Sequence, residues 1–156
     1  MAAKASVVSI YLGETGGGPL RPVASARVIP GKGLEGDRYA GGAGTYSGHP
    51  GSGRHVTLIE SEALEALERD YGIQLPGEAS RRNLVTRGVA LNHLVGLEFT
   101  VGPVRLRGTR LCEPCTFLES LVGKPVMKGL IHRGGLRAEV VEGGEIRVGD
   151  IIKESS

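Results

Sequence analysis

Two pairs of alternating runs, each joined by a two-residue link containing glycine, constrain this chain more than any other feature. Glu98 to Val101 and Val104 to Arg107 flank Gly102-Pro103, and the alternation turns Val104 and Leu106 inward and Arg105 and Arg107 outward. Leu136 to Glu142 and Glu145 to Val148 flank Gly143-Gly144, a link of the type that takes positive φ at both centres and closes a hairpin. Short antiparallel pairs of this kind exclude a helical bundle. Glycine punctuates the rest of the chain: 26 of 156 residues, well above the usual share of about 7%. Ala5 to Leu12, Pro22 to Ile29, His55 to Ile59 and Ile151 to Lys153 read as further strands, with Gly13 to Gly18 as a surface turn. Roughly eight short strands with no internal repeat predict a mainly β fold, a closed or partly closed barrel with peripheral helices. Its single domain spans residues 5 to 153.

The clearest helix is Ser61 to Gly72. Ser61 is placed to cap it, Leu64, Leu67 and Tyr71 form an apolar stripe, and Gly72 stops it. Shorter helices are expected at Thr116 to Val122 and Val126 to Ile131. A net charge of +2 gives no global pull toward nucleic acid or a membrane surface. The N-terminal apolar run is too short for a secretory leader, and no stretch reaches the roughly 18 apolar residues of a membrane span. A cytoplasmic location follows, in which both cysteines stay thiols unless they cycle or bind metal.

Chemistry concentrates in RLRGTRLCEPCTFLESL, Arg105 to Leu121. Cys112 and Cys115 stand between an arginine-studded strand and a helix start, where backbone N–H groups and the Arg107 and Arg110 charges favour thiolate. Metal ligation, sulfur transfer and disulfide exchange all fit such a pair. A closed zinc site does not, because it needs four ligands and no second C-x-x-C or H-x3-5-H is present. Arginines outnumber lysines and cluster near the cysteines, which suits a small anionic ligand. In Ser80 to Val85, two arginines and an asparagine enter a strand, and alternation puts Arg81 and Asn83 on one side and Arg82 on the other. Asp37 and Arg38 sit where glycines release the chain into an irregular segment running to Gly53, with Tyr46, His49 and Pro50 at its tip and the composition of a lid. They either orient a substrate or pair with each other at the surface.

The succession GLEGDRYAG (Gly33 to Gly41), HVTLIESEALEAL (His55 to Leu67), RRNLVTRGVALNHLVG (Arg81 to Gly96), LCEPCTFLE (Leu111 to Glu119) and HRGGLRAEVVEGGEIRVGD (His132 to Asp150) resembles the MOSC domain family, named for the C-terminal part of molybdenum cofactor sulfurases. The resemblance is to its small stand-alone members and implies a barrel-rich β fold and one characteristic cysteine that ligates molybdenum or carries sulfur. Cys115 falls at that position, and Arg81 and Asn83 match an R-x-N motif that contacts the pterin cofactor. Arg133 and Arg137 are implied as further contacts to its phosphate and pterin edge, with the 37 to 53 segment over the substrate side. The implied activity is reduction of N-hydroxylated or N-oxygenated small molecules by a molybdenum cofactor. With no ferredoxin cysteines or flavin motif, the electrons would come from a partner protein. The alternatives are a persulfide carrier served by a cysteine desulfurase, with Cys112 releasing sulfur from Cys115, a cofactor-delivering module without turnover, and a plain thiol redox protein. The chain departs from the pattern at Glu119, where an aspartate often follows the cysteine.

Overall fold

The computed structural model of the chain describes residues 4–14, 17–37 and 55–155. The chain begins with β1 (Ser6–Leu12). A register slip in its pairing between Val7 and Ser9 lets Val7 and Ile10 both face the core although three positions separate them. β2 (Arg21–Val23) pairs back onto β1, and β3 (Ser25–Ile29) and β4 (Gly33–Leu34) follow. β5 (Val56–Glu60) leads directly into α1 (Ser61–Tyr71), and a short 3-10 turn at Gly77–Ser80 precedes β6 (Leu84–Arg87). β5 and β6 are parallel, so α1 is the crossover that such a pair requires. Then come β7 (Glu98–Val101), β8 (Val104–Leu111), α2 (Thr116–Val122), α3 (Val126–Leu130), β9 (Leu136–Glu142), β10 (Gly144–Arg147) and β11 (Ile152–Glu154).

The strands form a large mixed sheet in the order β11-β7-β8-β9-β5-β6-β1-β2, and β10-β3-β4 form a small second sheet. The barrel expected from the strand count is not closed by continuous ladders. The start of β1 nevertheless meets the segment around β11 at the opposite side of the sheet: Ser6 bridges Ile151, Val7 N–H donates to Asp150 O at 3.0 Å, and Ile152 N–H donates to Ala5 O at 2.9 Å. One core fills the space between the sheets, with Ile10, Val28, Leu34, Leu58, Phe99, Leu106 and Ile146 fully or nearly fully buried. A second lies on the other face of the large sheet. There Tyr11, Ile59 and Val85 meet Ala63 and Leu67 of α1, Leu118 of α2 and Val126 and Leu130 of α3.

The Gly102-Pro103 hairpin forms as expected, with Val101 opposite Val104. The second expected hairpin does not. β9 pairs with β8 and β5, whereas β10 pairs with β3 in the other sheet. Gly143 is needed for close passage rather than for a turn, because a Cβ there would fall 2.5 Å from Val28 O and 2.8 Å from the Pro30 ring. The strand expected over Pro22 to Ile29 is likewise divided at Ala24, whose carbonyl accepts Val148 N–H as the chain passes between sheets. Ser61 does not cap α1; Glu60 occupies that position, and Ser61 Oγ donates to Glu62 instead. The buried stripe of α1 is Ala63, Ala66 and Leu67, while Tyr71 is exposed. Gly72 ends the helix in the left-handed conformation as expected.

Candidate functional site

On the helix-bearing face of the large sheet, strand register assembles one polar row from five segments. Tyr11 N–H donates to Asn83 O at 2.7 Å. Asn83, just before β6, lies beside Thr57 of β5, Thr57 is paired with Arg137 of β9, and Arg137 with Arg110 of β8. Arg110 and Arg137 are opposed at a register shift in the β8–β9 ladder, so the row ends in two arginines at neighbouring positions of the sheet. Nearer the start of β8, Arg107 is held by Glu98 at 2.7 Å and Glu139 at 3.1 Å. Among the described residues neither Arg110 nor Arg137 has a carboxylate partner, and Arg137 Nε is buried with no hydrogen bond at all.

The cysteine loop is built beside this row. Cys115 is the residue preceding α2, half-buried against the cluster that contains Tyr11 and Ile59. Cys112 is buried, and its N–H donates to Gly135 O at 2.7 Å. The buried Arg82 guanidinium ties the loop to its neighbours: Nε donates to Gly134 O at 2.8 Å, Nη2 to Cys112 O at 2.9 Å and Nη1 to Ser80 O at 3.2 Å. Glu113 closes the other side, its carboxylate accepting His132 N–H at 2.7 Å and standing 2.8 Å from His132 Nδ1. Gly134 and Gly135 make this approach possible, since a Cβ on Gly134 would lie 2.3 Å from Cys112 O and one on Gly135 only 1.9 Å from Leu58 O.

The expected site residues are not all presented to a ligand. Arg81 is not in a strand: it ends the 3-10 turn with φ of +66°, so the alternation pairing it with Asn83 does not hold, and its guanidinium donates to Gly18 O. One residue beyond Gly18, a cleft of about 310 Å³ opens between Leu12, Glu14, Pro19, Leu20 and Arg21. Asn83 is fully buried; Oδ1 accepts from Thr57 N–H and Oγ, and Nδ2 donates to Tyr11 O, all at 3.1 to 3.2 Å. Asp37 is buried and accepts Gly13 N–H at 3.0 Å. Arg133 is exposed on the α1 side, where its charge acts on Glu60 and Asp70. Burial pushes the Glu60 carboxyl above the ordinary carboxylate range, opposed chiefly by the hydrogen bond from Leu91 N–H. Arg38, Tyr46 and His49 lie outside the described residues. Arg82, Thr57, Glu113 and His132 were not legible as site residues, although the Gly134-Gly135 pair signalled that another backbone comes close.

The described residues contain no helix long and apolar enough to cross a membrane and no cluster of three or more His, Cys, Asp or Glu side chains arranged to hold a metal. A profile of the MOSC domain matches residues 45–153. The chain belongs to the MOSC domain family. The fold of this MOSC protein is similar to that of the YuaD protein from Bacillus subtilis, at 17% identity over 99% of this chain and 97% of that one, with a TM-score of 0.82. It is also similar to YiiM from Geobacillus stearothermophilus (19% identity, 97% and 75% covered, TM-score 0.74) and to YiiM from Escherichia coli (18%, 99% and 70%, TM-score 0.72). The likeness to YuaD extends over the segments ahead of residue 45 as well. No curated protein matches the sequence.

Proposed function

We propose that this MOSC domain binds a molybdenum cofactor through Cys115 and reduces N-hydroxylated or N-oxygenated small molecules, taking electrons from a separate partner protein in the cytoplasm. The observation that carries the reading is the asymmetry of the two cysteines. Cys112 is buried with its backbone tied at both N–H and carbonyl, whereas Cys115 is half-buried on the face that bears the Arg110–Arg137 pair. The residues present fit the cofactor. No group of three protein ligands is assembled among the described residues, so a metal held here brings most of its ligands with it, as a dithiolene-bound metal does, and one soft thiolate completes the set. The buried Arg137 Nε, which has no hydrogen-bond partner, suits the anionic end of a pterin phosphate. When bound, the cofactor supplies oxygen-atom transfer at molybdenum. The chain would supply position and charge: Cys115 would ligate, Arg137 would face the ligand, Arg81 would brace the loop at Gly18, and Asn83 and Asp37 would hold the strand and loop beneath. Arg133 lies at the periphery.

Protein from a host that makes the cofactor should carry close to one molybdenum per chain. Cys115→Ser should abolish this and Cys112→Ser should retain it, read by elemental analysis. Molybdenum retained by Cys115→Ser removes the thiolate from the role. The half-exposure of Cys115 also favours a second reading, a persulfide carrier loaded by a cysteine desulfurase. A mass gain of about 32 Da on Cys115, one sulfur atom, without molybdenum would establish that reading in place of the first.

A further inference from the structure

We infer that Glu113 and His132 form a latch that positions Cys115, holding the four-residue cysteine loop from its outer side. The inference deepens the proposed function, and rests on it only in taking Cys115 as the working thiol. Four observations converge on it. First, the Glu113 carboxylate makes two contacts to one residue: Oε1 accepts His132 N–H at 2.7 Å, and Oε2 stands 2.8 Å from His132 Nδ1. A carboxylate only accepts, so Nδ1 carries the proton and the contact is bidentate. Second, His132 is fixed from its other end, because Asn92 Nδ2 donates to His132 O at 2.7 Å. Third, His132 has φ of +62°, and among the described residues Arg81 is the one other non-glycine residue in the left-handed region. A side-chain-bearing residue keeps that conformation where its neighbours hold it, and such residues gather at functional sites. Arg81 adjoins Arg82, which ties the inner side of the same loop through Cys112 O. Fourth, the two latch side chains are 73% and 41% exposed, so the latch can be cut without opening the core.

The rest of the loop explains why the latch acts on Cys115 and not on Cys112. Cys112 is held independently, its N–H by Gly135 O at 2.7 Å and its carbonyl by Arg82 Nη2 at 2.9 Å. Pro114 has no N–H to tie, so the Glu113 side chain supplies the restraint midway between Cys112 and α2. An exposed ion pair ordinarily adds little to global stability. What this pair adds is the placing of the residue that starts α2.

The test is the rate at which iodoacetamide, a neutral reagent, alkylates Cys115 in the full chain carrying Cys112→Ser and prepared without molybdenum. Rates are taken at about pH 10, above the ordinary thiol range, so that they report access rather than ionisation. Glu113→Ala and His132→Gly should each react about tenfold faster, the loss of one charge-assisted and one further hydrogen bond. Their urea midpoints should stay at the parental value. Glycine takes φ of +62° freely, so His132→Gly folds even if Glu113→Ala does not. His132→Asn, which accepts the left-handed backbone and offers an amide donor in place of Nδ1, should return most of the parental rate. Parental rates in His132→Gly, a rise matched by a lower urea midpoint, or no rescue by His132→Asn overturns the inference. Molybdenum retention separates it from the proposed function. On dialysis of chain loaded with the cofactor, His132→Gly should lose molybdenum faster than the parent, and equal loss overturns the inference. A parent that takes up no molybdenum removes the proposed function and leaves the thiol rates to decide the latch.

Discussion

Arg82 illustrates how one side chain can hold three loops. Its guanidinium is buried and donates to carbonyls of the 3-10 turn, the cysteine loop and the α3–β9 turn, with no carboxylate partner among the described residues. Removing it leaves Cys112 O and Gly134 O buried without donors, each a loss of about 1–3 kcal/mol. Arg82→Leu should therefore lower stability by about 2–4 kcal/mol in urea unfolding, and Arg82→Lys should recover little, because one ammonium cannot span three separate carbonyls. Glu60 is a second residue whose environment makes a prediction. Burial raises its folded-state pKa, so its contribution to stability is fully present below the unfolded value and is lost as pH rises through the folded one. Glu60→Gln, which keeps an acceptor for Leu91 N–H, should thus gain stability relative to the parent on going from about pH 4 to about pH 7. Equal urea midpoints for the pair at both pH values would remove the burial effect. The place of Cys115 just ahead of a helix was legible at this scale, because the helical signal of Thr116 to Val122 after an arginine-bearing strand is local. Arg82 was not, because strand alternation gave it only a side opposite Asn83, and burying a guanidinium depends on carbonyls from distant loops.

Glycines define the elements, but by two different mechanisms that the sequence does not distinguish. Gly72 ends α1 with φ of +67° and open space around the absent Cβ, so Gly72→Ala should cost only about 1 kcal/mol of backbone strain. Gly135 combines φ of +113° with a Leu58 carbonyl in the space a methyl group would need, and neither backbone can yield without breaking the β5–β9 pairing. Gly135→Ala should be far more damaging, to the point of losing the folded state, and thermal unfolding of the two variants side by side checks the contrast. The same ambiguity explains the missed hairpin. Gly143-Gly144 has the composition of a tight turn, but β3 runs close beneath Gly143 and draws β10 into the second sheet. Local sequence carries turn propensity, whereas partner choice between β9 and β3 is settled by the core between sheets, where Ile146 packs with Val28 and Leu34. α1 was located correctly for the opposite reason, since apolar spacing and a terminal glycine are local signals. Its buried face was misread by about one position, because small Ala63 and Ala66 let the helix lie close on the sheet.

At the scale of the molecule, the large sheet separates two cores, and only one of them touches the cysteine site. Ile146 is fully buried between the two sheets, while Leu67 is fully buried between sheet and helices in the cluster against which Cys115 rests. Ile146→Ala and Leu67→Ala each remove a buried aliphatic side chain and should each cost about 2–5 kcal/mol. If the cores formed one cooperative unit in every respect, the two variants would be indistinguishable except in midpoint. The geometry predicts a difference. A cavity at Leu67 loosens α1 against α3, where Leu67 Cδ1 already lies at 2.2 Å from the position of a Cβ on Gly129, and through α3 it loosens the α2 segment that follows Cys115. Local opening of that helical layer should then require less free energy than global unfolding, and Cys115 should react faster with a thiol reagent under native conditions. Ile146→Ala should leave the Cys115 rate at the parental value until global unfolding contributes. The measurement is the reaction rate of Cys115 in a Cys112→Ser background, taken at increasing urea below the unfolding transition for both variants. A higher low-urea rate in Leu67→Ala alone ties the thiol to the helix-side core, and equal rates in the two variants would show that the sheet shields the site independently of the helices.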